Sequence, residues 1–201
     1  GRLMELQISS RAESWPDRVI LGRVTKVQQD LGAAFVDLGE EREGLLGARH
    51  TVAKRGTPIG QSITEGQSLL VQVKRESENA KGAILTARLG LSGRGIVFMP
   101  LGRDVQLPSQ MSDNKQRRRL QCVVENFSNK FSGGWVIRNF AETMSDASLW
   151  DEADALLKRW TKIASASSVA RPPAELDPGD DPVTKLVRQH KNSALQHLRV
   201  D

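Results

Sequence analysis

Read for hydrophobic period alone, the chain changes texture twice. Residues 3–8, LMELQI, alternate as a short half-exposed strand does, and the polar stretch SSRAESWPD follows, with Pro16 near its end. From Arg18 the pattern becomes dense in β-branched residues. RVILGRVTKV, AAFVDLG and EGLLGARH succeed one another across the polar turns QQDLG and GEER. After a looser stretch punctuated by Gly56, Pro58 and Gly60, SLLVQVKRE and GAILTARL give two further strands around the turn SENAKG. No helix-length period separates the first three of these segments, which argues against a parallel sheet. Five short strands joined by Gly-rich or polar turns predict a small Greek-key barrel of the oligonucleotide-binding type over residues 18–89.

Beyond Leu89 the punctuation changes. GRGIVFMPLGRDVQLP reads as hairpin material, KQRRRLQCVVE as the start of a basic helix, and WVIRNF as a strand entered through the turn at Phe131. Residues 144–163 carry Leu149, Ala153, Leu156, Leu157, Trp160 and Ile163 at three-to-four spacing, with Ser145 placed to cap the N-terminus. The segment SASSVARPPAELDPGDDP reads as a Pro/Ser-rich connector. A last helix is predicted from Val183 to His190, and LQHLRVD resembles a strand beginning just before Asp201, as in a fragment of a longer protein. The fold class is therefore α+β.

Composition narrows the function. A net charge of +5 and an isoelectric point near 9.7 suit a nucleic-acid partner, because phosphate binding releases counterions. Basic residues recur at Lys54, Arg55, Lys74, Arg75, Lys81, Arg103 and from Lys115 to Arg119. One cysteine, Cys122, excludes an internal disulfide and a cysteine-built zinc site; in QCVV it reads as a small residue packed in a core. A reducing cytoplasm is the matching compartment, and no apolar run is long enough to span a membrane. His50, His190 and His197 have no ligand spacing, and Asp177, Asp180 and Asp181 fall in the connector as turn and cap residues. No catalytic constellation is visible.

In order and wording these segments resemble the N-terminal part of the ribonuclease E/G family. The strings that carry the likeness are ILGRVTKV, LGAAFVDLGEEREGLLG, VQVKRE followed by NAKGAILTARLGLSGRGIVFMP, and GGWVIRN followed by the helix ending LLKRWTKI. The junction TARLGLSGRGIVFMP is the most specific of them. The resemblance implies a five-stranded S1 barrel at 18–89 inserted in a partial RNase H-like subdomain, whose flanks would be residues 1–17 and 183–201. A small α+β 5′-sensor subdomain would occupy residues 90–182. It also implies a Mg-dependent endoribonuclease acting on single-stranded RNA, with the catalytic aspartates and any homo-oligomer contacts C-terminal to Asp201. A non-catalytic S1 protein that has lost the nuclease half is the rival reading, and an interaction module a weaker third.

Four residues are candidate RNA contacts. In AAFVDLG, Phe35 shares a face with Asp37 while Val36 and Leu38 share the other, so the ring is expected at the solvated face, available to stack on a base rather than packed in the core. The resemblance points the same way for Phe35 and adds Lys81 beside the RNA path. It also implies a second aromatic in the loop after this strand, where this chain has Leu45. Arg23 and Arg42 complete the set, less specific and comparable to the solvated cations Lys26 and Lys74. For the 5′ end, the resemblance implies a monophosphate pocket walled by Gly93 and Val97 and held by Arg138, with Asn139 where the family has threonine. A guanidinium suits this task because its planar fork matches phosphate oxygens. A further arginine expected near Ser109 is missing from LPSQM.

Overall fold

The computed structural model describes residues 17–75, 82–109, 111 and 113–180. Lys81, the expected flank at 183–201 and all of the flank at 1–17 except Asp17 lie outside the described residues.

Five strands make the barrel: β1 (Val19–Gln28), β2 (Ala33–Asp37), β3 (Gly44–Gly47), β4 (Ser68–Arg75) and β5 (Ile84–Thr86). They run β1-β2-β3-β5-β4, and β4 pairs back onto β1 to close the ring. All pairings are antiparallel except β3 with β5. The long β1 serves two neighbours, β4 through residues 19–23 and β2 through residues 23–28. A register shift between Val24 and Lys26 supplies the bend, as bulges do at barrel corners. At that bend Gly22 is required for space: a Cβ there would lie 2.5 Å from Val36 Cγ1 and 3.0 Å from the Asp37 carbonyl. The predicted alternation holds, with Val24, Val36, Leu46, Val73 and Leu85 pointing into a core of their own. The looser stretch is not structureless. It contains a one-turn helix, α1 (Ile59–Ser62), which buries Ile59, and Ile63 just beyond it is buried too.

The second layer is a four-stranded sheet, β6 (Leu91–Ser92), β7 (Ile96–Met99), β8 (Val105–Gln106) and β9 (Gly134–Ile137), in the order β6-β7-β9-β8. Helices α2 (Asn114–Lys130) and α3 (Asp146–Val169) pack on it. Their shared core is aromatic: Trp135 sits 4.6 Å from Phe98 and 5.2 Å from Phe127, which meets Trp150 edge-on at 4.5 Å. Ser145 caps α3 as expected, accepting from the Ser148 amide at 3.1 Å. Cys122 departs from expectation and is exposed. Leu120, Val123, Val124 and Phe127 form the buried stripe of α2, and position 122 falls on the opposite side of that period.

The connector is also more ordered than its composition implies. Helix α3 runs on through SASSV to Val169, and β10 (Ala174–Asp177) then pairs antiparallel with β1. The second layer is thereby stitched to the barrel. Asp177 and Asp180 are not simple turn residues: Arg159 on α3 holds Asp177 through two bonds of 2.7 and 2.5 Å and reaches Asp180 at 3.3 Å. Buried Arg18 makes a similar clasp to Glu40 at 2.5 Å and to Glu175 on β10 at 3.4 Å.

Candidate nucleic-acid interface

Strand register decides which side chains can face one RNA. Residues directly opposite on paired strands project from the same face. Lys26 is opposite Phe35, Phe35 opposite Leu45, Leu45 opposite Ile84, and Ile84 opposite Arg75. One row thus crosses every strand of the barrel, reading cation, aromatic ring, two aliphatic side chains, cation. Phe35, Leu45 and Ile84 are half-buried between buried neighbours along their own strands, and the two cations are exposed. The end cations suit phosphates and the apolar middle suits base faces.

Phe35 therefore occupies the outward face expected of it. Asp37 shares that face opposite Arg23, but its carboxylate is engaged by the Gly39 amide at 2.9 Å and shapes the turn. Arg42 is exposed in the loop between β2 and β3. Leu45 is not in a loop after the strand; it lies in β3 beside the Phe35 ring, where it widens the apolar floor. Sequence reading missed Ile84 and undervalued Lys26 and Arg75. Two irregularities, at Val24/Lys26 and Val73/Arg75, put those cations on the row, and a strict two-residue alternation does not foresee them.

Positive charge also gathers around His50. Burial depresses the His50 pKa most, and the charges of Lys74, Arg49 and Arg88 push it down further. The ring nitrogen Nε2 accepts from Arg49 Nε at 3.2 Å, as a neutral imidazole can. Around pH 7 this histidine thus adds no charge of its own to the cluster.

The candidates for the 5′ end gather at the hairpin joining β6 and β7. Ser92, Val97 and Val136 lie side by side on the half-exposed face of the sheet. Arg138 follows directly from β9; its Nη2 donates to Ser92 Oγ at 3.1 Å and its backbone amide to the Gly95 carbonyl at 2.8 Å. Asn139 is exposed and opens the single-turn helix 139–143. The structure thus brings Val97 and Arg138 together through Ser92, with Asn139 adjacent in the chain.

Gly93 is nearby, but what fills the space beside it is protein. Glu152 of α3 places its carboxylate against the hairpin loop and accepts from the amides of Arg94, Gly95 (2.9 Å) and Ile96 (3.2 Å). The Gly93 amide closes the hairpin on the Ile96 carbonyl at 2.8 Å. Arg94 turns aside and stacks on Phe140, its guanidinium carbon 3.9 Å from the ring centroid. Near Ser109, where that arginine is missing, Arg117 of α2 donates to the Pro108 carbonyl at 3.3 Å. Arg119 is committed to Asp146 and to the carbonyls of Ala141 and Met144.

Among the described residues no group of three or more His, Cys, Asp or Glu side chains converges as a metal site. Asp177 and Asp180 do not fit one, because Arg159 already pairs with both. Among the described residues no helix is long and apolar enough to cross a membrane.

Comparison with known proteins places the two layers in known families. Residues 90–201 match the ribonuclease E/G family and residues 16–88 the S1 RNA binding domain. The chain is 28% identical to ribonuclease G of Haemophilus influenzae and 29% identical to ribonuclease G of Escherichia coli K12, in each case over all of its length. It is 31% identical to ribonuclease E of Nostoc over 91% of its length. It spans 43% and 44% of the two ribonuclease G sequences and 27% of the ribonuclease E sequence.

Proposed function

Given that this chain belongs to the ribonuclease E/G family and carries an S1 RNA-binding domain, we propose that it is the RNA-gripping portion of an endoribonuclease, taking single-stranded RNA across the barrel and its 5′-phosphorylated end at Arg138. The row from Lys26 through Phe35, Leu45 and Ile84 to Arg75 carries the reading. An apolar floor with a cation at each end holds a strand whose bases are free to lie flat, and a duplex offers no such faces. Arg138 presents a planar fork at a strand end where Ser92 and Asn139 offer polar partners. Hydrolysis itself we assign to Mg²⁺ held by carboxylates outside the described residues.

Fluorescence anisotropy with a short oligoribonucleotide tests the barrel. Phe35→Ala is expected to weaken single-strand binding by ~1–3 kcal/mol, the usual contribution of one stacked base. Lys26→Ala and Arg75→Ala should each flatten the dependence of log affinity on log salt by about one phosphate's worth of counterion release. Equal affinity for duplex and single strand, or a Phe35→Ala variant that binds like the parent, would exclude the row as the RNA path.

A further inference from the structure

We propose that Glu152 is a positioning residue for the RNA 5′ end, fixing from α3 the hairpin loop to which Arg138 is hydrogen-bonded. This inference rests on the reading of Arg138 given above. Three consecutive backbone amides, at Arg94, Gly95 and Ile96, converge on one carboxylate that arrives from a helix more than fifty residues downstream. In the three-residue connection between β6 and β7 such amides would otherwise be left to solvent. Here they are tied to a charged acceptor, and charge-assisted bonds are the strong class.

The loop is linked directly to Arg138. Its Gly95 carbonyl accepts the Arg138 amide at 2.8 Å, and Ser92, just before the loop, accepts from the Arg138 guanidinium at 3.1 Å. The backbone and the side chain of the phosphate ligand are thus both hung on the segment that Glu152 holds. Packing restricts the same loop from the other side: a Cβ on Gly95 would come 2.5 Å from Met144 Sδ and 3.1 Å from Leu149 Cδ2.

Gly93 takes on a new meaning in this arrangement. Its φ lies outside the left-handed region, so no backbone conformation demands glycine there. A Cβ would instead lie 2.5 Å from Glu152 Cδ and 2.6 Å from its Oε1. Gly93 is small to admit the carboxylate, and the three amides that a phosphate could have used are already engaged by it. Specificity for the 5′ end then falls to Arg138 and Asn139, held in place by Glu152.

The test is a cycle of variants of the full chain, read as the ratio of affinities for one oligoribonucleotide bearing a 5′-monophosphate or a 5′-hydroxyl. The parent is expected to prefer the monophosphate by about ten- to a hundredfold, and Arg138→Ala to abolish that preference. Glu152→Ala should bring the ratio close to one with 5′-hydroxyl affinity unchanged. Glu152→Gln, which keeps the volume but loses the charge, should restore part of it. Gly93→Ala alone should act like Glu152→Ala, and added to Glu152→Ala it should cost nothing more. Unchanged 5′-hydroxyl affinity shows that the barrel is intact in the Glu152 and Gly93 variants, and a cooperative urea transition followed by tryptophan fluorescence shows that their second layer is folded. Loss of preference in Arg138→Ala but not in Glu152→Ala overturns the positioning role alone. A ratio that rises in Glu152→Ala overturns it too, since the carboxylate would then be competing with phosphate for the amides. A Gly93→Ala effect that persists without Glu152 returns Gly93 to the phosphate wall. A parent chain indifferent to the 5′ end removes the reading of Arg138 and this inference with it.

Discussion

Trp135→Ala is expected to destabilise the second layer by about 3–5 kcal/mol, the usual cost of emptying a buried large aromatic site. The side chain is fully buried between Phe98 and Phe127, and the Phe127 ring carries the contact on to Trp150. Removing it leaves a cavity bounded by a sheet and two helices, none of which can move in freely. Trp135→Phe should cost much less. The indole Nε1 is buried without a hydrogen-bond partner among the described residues, so phenylalanine removes a desolvated donor whose burial costs ~1–3 kcal/mol while giving up part of the ring. The barrel should be spared, because most of its buried residues form a cluster distinct from the aromatic one, which Val19 of β1 joins and against which Leu70 of β4 packs. Urea titration checks both statements. Tryptophan fluorescence should show an earlier midpoint in Trp135→Ala, while anisotropy with a 5′-hydroxyl oligonucleotide reports a barrel that unfolds later. Coincident loss of the two signals would show a single cooperative unit.

Period-two alternation made the barrel legible, because one buried face forces each strand to declare which residues point inward. Val36 and Leu38 could be assigned to the inward face from Phe35 and Asp37 beside them. The helical stripe from Leu149 to Ile163 was legible for the same reason at the longer period, and Ser145 marked its start. Cys122 misled because small apolar residues are usually buried, while the phase of α2 is set by Leu120, Val123 and Phe127. Strand β10 could not be read at all. Four residues flanked by prolines, with Glu175 and Asp177 among them, carry no strand signature; pairing with β1 supplies the order.

The site was legible residue by residue and opaque in its arrangement. Phe35 and Arg138 could be chosen from local pattern and resemblance. That Lys26, Ile84 and Arg75 complete the row with Phe35 depends on two register shifts, which are tertiary facts. Glu152 lay hidden on the helix as an ordinary surface glutamate in LWDEADALL. Only a fold that brings α3 over the β6–β7 loop shows what its carboxylate meets, and it recasts Gly93 from a phosphate neighbour into the seat of a side chain.

Arg159→Ala is expected to cost about 3–5 kcal/mol at neutral pH, because it strands a largely buried carboxylate without its partner. Asp177 is 9% exposed and closes the only described path by which α3 returns to the barrel, through β10. Burial alone pushes the Asp177 pKa up, but the bonds from Arg159, the Gly179 amide at 2.8 Å and the guanidinium charge outweigh it and hold the group below its ordinary value. The bonds from Asp177 likewise raise the Arg159 pKa, opposed by its own burial. A carboxyl whose folded pKa is depressed contributes stability above its unfolded pKa, near 3.8, and loses it as pH falls through the folded value. The parent should therefore be markedly more stable than Asp177→Asn at pH ~7 and keep that margin down to about pH 4. Below that the two stability curves should converge as Asp177 takes up its proton, since asparagine and the protonated acid are then alike in charge. Arg159→Lys should recover only part of the loss, because an ammonium cannot reproduce the paired bonds to Asp177. Urea midpoints measured across that pH range decide the matter. A constant gap between parent and Asp177→Asn at every pH would mean that the pair contributes through packing and neutral hydrogen bonds, with the charge on Asp177 immaterial.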